Sequence, residues 1–232
     1  MSNTVLVIGQ SGSGKSTSLR NLDPSSTFII NVLDKPLPFR GYKKNYTPVE
    51  SVLDEKGNKT GKSKGNYFCS DNWSEIITTI NSINKYRMDI KTLVIDDWQY
   101  ILAYEFMRRV NEKGYDKFSE LANHGWSTIN ACLNSGSRLT IFILAHSDID
   151  NCGRSKCKTI GKMLDEKITI EGMFTTVLHS RVVDGQYLFQ TQSNDEYLAK
   201  SPMGMFNELL IPNDLKIVKE SVEGYFNEEE AA

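Results

Sequence analysis

The chain has 232 residues, of which 39% are hydrophobic and 24% charged, and these near-average proportions exclude a disordered, collagen-like or coiled-coil protein. Its formal net charge of -2 gives no general attraction to nucleic acid, so any polyanion site has to be a local patch. The length suits one large domain. Four cysteines occur without a signal peptide or a membrane-length apolar run, which predicts reduced thiols, a cytoplasmic location and no membrane contact.

Short apolar runs rich in β-branched residues predict four strands, and helical spacing of apolar residues predicts four helices. The strands are predicted at 4–8, 27–32, 92–95 and 139–145, and the helices at 15–22, 73–88, 98–112 and 117–133. The strand residues do not alternate between apolar and polar, which is typical of strands covered on both faces. The pattern therefore predicts an α/β, doubly wound domain with a mainly parallel sheet.

Two segments interrupt this alternation. Residues 42–70 contain a proline and three glycines between extended runs, which predicts an inserted hairpin or loop with a basic tip. Residues 147–168 follow the fourth strand and are irregular and basic, so we predict a mobile loop there.

The carboxyl-terminal part of the chain predicts a hairpin and a tail. Residues 173–183 and 186–192 flank Asp184-Gly185, a dipeptide that favours a type I′ turn. A single domain over 1–220 and an acidic tail over 221–232 complete the predicted organisation.

The strongest motif is GQSGSGKS at 9–16, a full match to G-x-x-x-x-G-K-[ST] between a predicted strand and a predicted helix. Glycines let consecutive backbone N–H groups face phosphate oxygens, and the helix adds its positive dipole end. Lys15 then reaches the β- and γ-phosphates, Ser16 takes a position on Mg²⁺, and Thr17 lies near the α-phosphate. The motif predicts ATP and Mg²⁺ as ligands, with nucleotide contacts from Gly9, Gln10, Ser11, Gly12, Ser13, Gly14, Lys15, Ser16 and Thr17.

Candidate acid and base residues end the other strands. The run TLVIDD at 92–97 offers Asp96 to hold Mg²⁺ through water and Asp97 to orient or deprotonate the attacking water, although either could instead cap the next helix. Asp34, after the second strand, competes for the role of base. His146, at the end of the fourth strand, is a candidate γ-phosphate sensor, with a structural histidine as the alternative; His124 and His179 are predicted to be structural. Lys15, Asp96, Asp97 and His146 are thus the predicted catalytic set.

With these motifs the chain resembles P-loop ATPases of the RecA-like and AAA-like division, and more closely small ATP-binding proteins of bacteriophages, some of them RecA-like single-strand annealing or recombination ATPases. The segments that carry the resemblance are GQSGSGKST at 9–17, LVIDDWQYI at 93–101, ILAHSD at 143–148, GKMLDEKITIEGMF at 161–174 and KSPMGMF at 200–206. It implies the strand order 5-1-4-3-2, a homo-oligomer with ATP between protomers, and a loop after the fourth strand that faces DNA. A basic residue from the next subunit often completes such sites, for which the options are Lys158, Lys162 and Arg181.

Basic residues in the two irregular segments are candidate DNA contacts, with a solvated surface as the alternative. They are Lys56, Lys59, Lys62, Lys64, Arg154, Lys156, Lys158 and Lys162. Cys152 and Cys157 fit no common zinc pattern, so no zinc site is predicted.

The resulting prediction is a phage-encoded ATPase of the host cytoplasm that couples ATP hydrolysis to single-stranded DNA handling in recombination or replication, with single-strand-binding or replication proteins as partners. A nucleotide or small-molecule kinase with 147–168 as a lid is the alternative, and a scaffold that keeps ATP as a structural ligand is a third. The absence of N-K-x-D and L-S-G-G strings disfavours a GTPase and an ABC transporter subunit.

Overall fold

A computed structural model describes residues 2–53, 59–150, 153–161 and 163–230. The strands are β1 (Asn3–Gly9), β2 (Thr27–Asn31), β3 (Glu50–Leu53), β4 (Lys59–Lys64), β5 (Tyr67–Cys69), β6 (Thr92–Asp96), β7 (Thr140–Ile149), β8 (Ser155–Cys157), β9 (Thr176–Val183), β10 (Gln186–Gln190) and β11 (Leu210–Pro212). The α-helices are α1 (Tyr42–Asn45), α2 (Trp73–Tyr86), α3 (Gln99–Arg108), α4 (Asp116–Leu133) and α5 (Leu215–Glu230). Shorter helical turns are the 3₁₀ helices Ser16–Asn21 and Ile170–Met173 and the π-helix Met163–Ile168.

The central sheet runs in the order β11-β10-β9-β1-β7-β6-β2-β5, with β8 paired to the outer part of β7. The strands from β9 to β5 in this order are parallel to their neighbours, whereas β8, β10 and β11 pair in antiparallel fashion. The predicted α/β class with a mainly parallel sheet is confirmed.

Both faces of the sheet are covered, which explains the unbroken apolar runs of its strands. In β1, Leu6 and Ile8 belong to a core cluster with residues of α2, α3 and α4. Val5 and Val7 point the other way, into a cluster with Leu19 and residues of α5. Successive strand residues thus pack into opposite hydrophobic layers. Because both faces of the sheet are covered, we expect a functional site at the loops that follow the strand ends.

Helix α2 shows how local sequence sets these elements. Its Asn72 cap accepts a hydrogen bond from the backbone N–H of Ser74 at 2.9 Å, which satisfies one of the free amides of the first turn. Ile76, Ile80 and Ile83 then recur at helical spacing and are fully buried against the sheet.

The segment after the glycine-rich motif differs from the prediction. The predicted α-helix at 15–22 is a six-residue 3₁₀ helix, Ser16–Asn21, and Leu22 is already extended. Pro24 disfavours a helical conformation at Asp23, which stops the helix early. Because a helix macrodipole builds up from aligned peptide units, this short 3₁₀ helix contributes less to anion binding than the predicted α-helix would.

The two irregular segments contain regular pieces. Within 42–70, β3 and β4 form a separate antiparallel pair, while β5 joins the edge of the main sheet. Within 147–168, β7 continues to Ile149 and pairs with β8. The strand is therefore longer than predicted, because β8 supplies partners for its last residues.

The carboxyl-terminal elements close the domain. Asp184 and Gly185 both have positive φ, at 51° and 77°, as the turn between β9 and β10 requires. Residues 221–230 belong to α5, and its Val222 is buried in the core, so this segment is part of the domain rather than a tail. Residues 231–232 lie outside the described residues. Among the helices of the described segments, none combines the length and apolar character needed to span a membrane.

Candidate active site

The sheet topology brings the predicted site residues to one edge. Gly9 at the end of β1 is in register with His146 of β7, and Asn31 at the end of β2 is in register with Asp96 of β6. All four strands are parallel, so their carboxyl ends lie together, where ligands of open α/β sheets bind.

The glycine-rich loop depends on two of its glycines for shape. Gly12 and Gly14 have φ of 79° and 97°, a region that side chains rarely tolerate. A Cβ on Gly14 would also lie 2.8 Å from Cδ1 of Tyr187. The loop is therefore closely packed as well as left-handed at these positions, and left-handed turns of this kind can direct backbone amides towards an anion.

Hydrogen bonds from β9 and from the residue that follows β11 hold the loop in place. The Ser180 hydroxyl donates to the backbone carbonyl of Ser13 at 2.7 Å, and Asn213 Nδ2 donates to Ser180 Oγ at 2.9 Å. Arg20 in turn donates to the Asn213 carbonyl at 2.7 Å. Ser180 and Asn213 were not predicted from the sequence, because they belong to no motif and lie far along the chain, Ser180 in β9 and Asn213 directly after β11.

Lys15 is folded back onto its own loop. Its ammonium donates to the carbonyls of Gly9 at 2.8 Å and Gln10 at 2.9 Å. Only 5% of the residue is exposed. Burial lowers the pKa of Lys15 to about 8, even though Asp97 and Asp96 act in the opposite direction. The ammonium is thus poorly solvated, and a phosphate oxygen would be a better partner than a neutral carbonyl.

The Ser16 hydroxyl meets the carboxylate that was predicted to serve the metal. Ser16 Oγ donates to Asp96 Oδ1 at 3.0 Å, and Asp96 is buried. Burial, followed by the charge of Asp97, raises the pKa of Asp96 to about 6. Hydroxyl and carboxylate oxygens are the ligands Mg²⁺ favours, so these residues fit a magnesium site next to the phosphate loop.

Replacing Asp96 by asparagine is expected to stabilise the metal-free protein at about pH 7. Because the pKa of Asp96 is about 6 in the folded chain and roughly 4 when unfolded, the folded state binds more protons between these values, and stability falls as pH rises through this window. The gain should be on the order of 2 kcal/mol. Thermal unfolding with chelator present, compared for both proteins at several pH values, measures it. Lower stability of the variant at about pH 7 would contradict the expectation.

Asp97 is held by side chains rather than by a helix. It has a left-handed φ of 65°, pairs with the Lys35 ammonium, and lies 3.3 Å from His146 Nε2. Burial would raise the pKa of Asp97, but the hydrogen bonds from His146 and Lys35 outweigh it, and the net shift is downward. Helix α3 has Trp98 at its cap position without a side-chain cap, so the capping alternative does not describe Asp97.

Lys35 is a further site residue that sequence reasoning missed. It follows Asp34 in the loop after β2, a position without a motif. Only the three-dimensional approach of this loop to the end of β6 brings its ammonium to Asp97. No local sequence signal could have identified it.

Asp34, the rival base, has a different environment. Its φ is 52°, and its Oδ1 accepts a hydrogen bond from Cys69 Sγ at 2.9 Å. Burial, together with this carboxylate, raises the pKa of Cys69 to about 11. Asp34 is therefore engaged with the edge strand β5, one residue away from the lysine that contacts Asp97.

His146 connects the Asp97 carboxylate with α3. Its backbone N–H donates to Gln99 Oε1 at 3.0 Å, and its ring meets Tyr100 edge-on with centroids 5.8 Å apart. A cavity of about 250 Å³ lies beside it, lined also by Ala103, Lys158, Thr159 and Ile160. The side chain thus lies between the acid pair and the segment that follows β8.

The two other histidines have structural surroundings. His124 Nδ1 is 2.8 Å from Glu105 Oε1 and its ring stacks on Trp73 at 4.0 Å. His179 is buried and bonds Ser155 Oγ at 2.7 Å, and burial lowers the pKa of its imidazole to about 4.

Within the described residues no cluster of three or more histidine, cysteine, aspartate or glutamate side chains that could hold a metal ion occurs. Cys152 lies outside the described residues.

The candidate DNA contacts have mixed surroundings. Lys64 pairs with Glu50 at 3.1 Å and Arg154 with Asp150 at 3.3 Å, so part of their charge is locally neutralised. Lys158 is exposed and Lys156 is half-buried. Lys56 and Lys162 lie outside the described residues, and for Lys59 and Lys62 the structure describes only the backbone, in β4.

The comparison with protein families places these features in a known group. Residues 1–203 match a family described as an AAA domain. This segment contains the phosphate loop, Asp96, Asp97 and His146. Strand β11 and helix α5 lie beyond it. No curated protein matches the chain. The chain therefore belongs to the AAA-domain family, an AAA-like group of P-loop nucleotide hydrolases.

Proposed function

We propose that the protein binds Mg-ATP at the carboxyl edge of its sheet, hydrolyses it to ADP and phosphate, and uses the cycle to handle single-stranded DNA. The observation that carries the ATPase part is the hydrogen bond between Ser16 and buried Asp96 beside the retracted ammonium of Lys15. These groups supply a hydroxyl, a carboxylate and a phosphate-binding cation within one site, as nucleoside triphosphate hydrolysis requires.

Each residue has one part in the proposed reaction. The loop amides and Lys15 bind the phosphate chain, and Ser16 with Asp96 would hold Mg²⁺, which would supply positive charge to offset that of the phosphates. Asp97 accepts a proton from water as the water oxygen attacks the γ-phosphorus. The bond from that phosphorus to the β-γ bridging oxygen breaks, and ADP leaves with inorganic phosphate as the second product.

The pKa values favour this assignment of base and metal ligand. The pKa of Asp97 is lowered, so it is ionised at neutral pH and able to accept a proton. The pKa of Asp96 is raised to about 6 by burial, so a nearby cation would favour its ionised form. The two adjacent carboxylates therefore have different environments, as paired groups with different roles often do.

The proposed assembly is a homo-oligomer that shares its ATP sites between protomers. Among the three basic options for contact across such an interface, Arg181 lies over the Tyr197 ring at 4.2 Å and donates to Gln190 Oε1 at 2.7 Å. Lys162 is outside the described residues. Of the two options within the described residues, we propose exposed Lys158, which lines the cavity beside His146.

The proposed DNA contact is supported by the position and charge of two lysines. Lys156 and Lys158 lie on or next to β8, which pairs with the extension of β7 that carries His146 at its base. A phosphate backbone bound there would lie near His146, the side chain that contacts Asp97, which would let DNA change the rate of hydrolysis.

A kinase that uses the cavity beside His146 for its acceptor is the competing function, and transfer of labelled phosphate to a small molecule instead of water would reveal it.

Single-stranded DNA is expected to increase the ATPase rate at low salt, with weaker stimulation as salt rises, because phosphate contacts release counterions. Lys158→Glu should lose most of this stimulation relative to its own DNA-free rate, the reference needed because Lys158 is also the proposed contact across the interface, while Lys43→Glu, at an exposed lysine on α1, should keep it. Steady-state phosphate release with and without DNA measures both. No DNA binding by the unaltered protein at any salt concentration would contradict the DNA part and leave the ATPase part standing.

A further inference from the structure

A second lysine reaches the catalytic edge from within the same chain. The Lys35 ammonium pairs with Asp97 Oδ2, and 52% of the Lys35 side chain is exposed against 3% for the Asp97 side chain. The carboxylate is therefore fixed in the protein, while the cation that covers it extends from solvent on a flexible stem.

Lys35 belongs to the same electrostatic group as the phosphate-binding lysine. The charge of Lys35 helps lower the pKa of Lys15, and burial of Lys35 is outweighed by its contact with Asp97, with a further contribution from Asp96, so that the pKa of Lys35 is raised. Two ammonium groups and two carboxylates thus share one site. Both lysines are bound to protein acceptors, Lys15 to loop carbonyls and Lys35 to Asp97.

The ion pair is poorly explained by stability alone. Only the Asp97 end of the pair is buried, and at the half-exposed Lys35 end side-chain entropy and solvent screening offset part of the attraction. Yet this pair occupies the carboxylate that we propose to accept a proton from water. A γ-phosphate arriving beside buried Asp97 would bring like charges together, and a nearby cation would relieve that repulsion.

We propose that Lys35 exchanges partners in the catalytic cycle: it caps Asp97 until a triphosphate binds, then contacts the γ-phosphate and leaves Asp97 to receive the proton of the attacking water. The inference rests on the proposed ATPase function and adds to it a phosphate-binding residue supplied in cis. This exchange would also allow the site to distinguish a triphosphate from a diphosphate, because only the triphosphate carries the γ-phosphate that draws Lys35 away from Asp97.

The test compares Lys35→Met, which keeps the aliphatic stem, with Lys35→Arg, which keeps the charge, and with Lys43→Met as a control at an exposed lysine. Affinities for Mg-ADP and for a Mg-bound, non-hydrolysable ATP analogue are measured by calorimetry, and turnover by phosphate release. Lys35→Met should weaken analogue binding about tenfold while ADP affinity is unchanged, and should lower kcat on the order of a hundredfold, since one charged contact to the transition state is lost. Lys35→Arg should retain most of the analogue affinity and most of the turnover, and Lys43→Met should match the unaltered protein.

Three results would overturn the inference. Equal losses of ADP and analogue affinity in Lys35→Met would mean that Lys35 does not sense the γ-phosphate. Unchanged binding and turnover would mean that the pair is incidental, and faster turnover would mean that Lys35 only restrains Asp97. Lys35→Gln provides a second neutral variant if thermal unfolding shows that Lys35→Met is not folded. Failure of the unaltered protein to bind either nucleotide is a different outcome, because it overturns the proposed function itself and this inference with it.

Discussion

Lys15→Met is expected to reduce ATP turnover by at least about a hundredfold, the size of effect seen when one preorganised donor to a developing charge is removed. The ammonium is almost fully buried and donates to two neutral carbonyls. Its desolvation is therefore already present before ATP binds, and its attraction to phosphate oxygens is correspondingly strong. Methionine fills a similar volume without the charge.

The fold should survive this change. The variant loses two hydrogen bonds from Lys15 but also removes a buried charge, so its stability should change by no more than about 1 to 2 kcal/mol. Phosphate release and thermal unfolding, measured for Lys15→Met and for Lys44→Met at an exposed position of α1, separate the two effects. Turnover within a few fold of the unaltered protein would contradict the assigned role of Lys15.

Asp97→Asn is expected to lower kcat by a factor on the order of 10² to 10⁴, the contribution typical of a general base, while Mg-nucleotide binding is retained. Asparagine keeps the shape of the side chain but cannot take the proton. It also tolerates the left-handed backbone, which Asp97 adopts with a φ of 65°, so strain does not confound the result.

Asp34→Asn is the matched control for this variant. Asp34 also has a positive φ, at 52°, and it is the other carboxylate that sequence analysis offered as the base. Its contact with Cys69 predicts that kcat stays within a few fold. The reverse pattern in single-turnover experiments, with Asp34→Asn inactive and Asp97→Asn active, would assign the base to Asp34.

The parts of the site that sequence could predict are those encoded by contiguous residues. The glycine-rich loop is a local motif whose residue types follow from phosphate geometry, and the acid pair stands at the end of an unmistakable buried strand. The apolar runs likewise predicted the α/β class, because a strand covered on both faces carries that pattern wherever it lies.

The parts that sequence could not predict depend on contacts between distant segments. Lys35 meets Asp97, and Asn213 supports the loop through Ser180, only because the sheet order brings β2, β6, β9 and β11 to the same edge. The 3₁₀ helix after Lys15 is a related case, since its six residues are too few for helical periodicity to define the helix type. The acidic composition of the chain end concealed the apolar face by which α5 packs on the core through Val222.

Calorimetric titration of Mg-ATP into the purified, folded protein tests the central assignment most directly. We predict one nucleotide bound per chain, with affinity reduced at least about tenfold when chelator removes magnesium and reduced again in Lys15→Met. Absence of any binding heat for adenine and guanine triphosphates at several temperatures, with magnesium present, would contradict it.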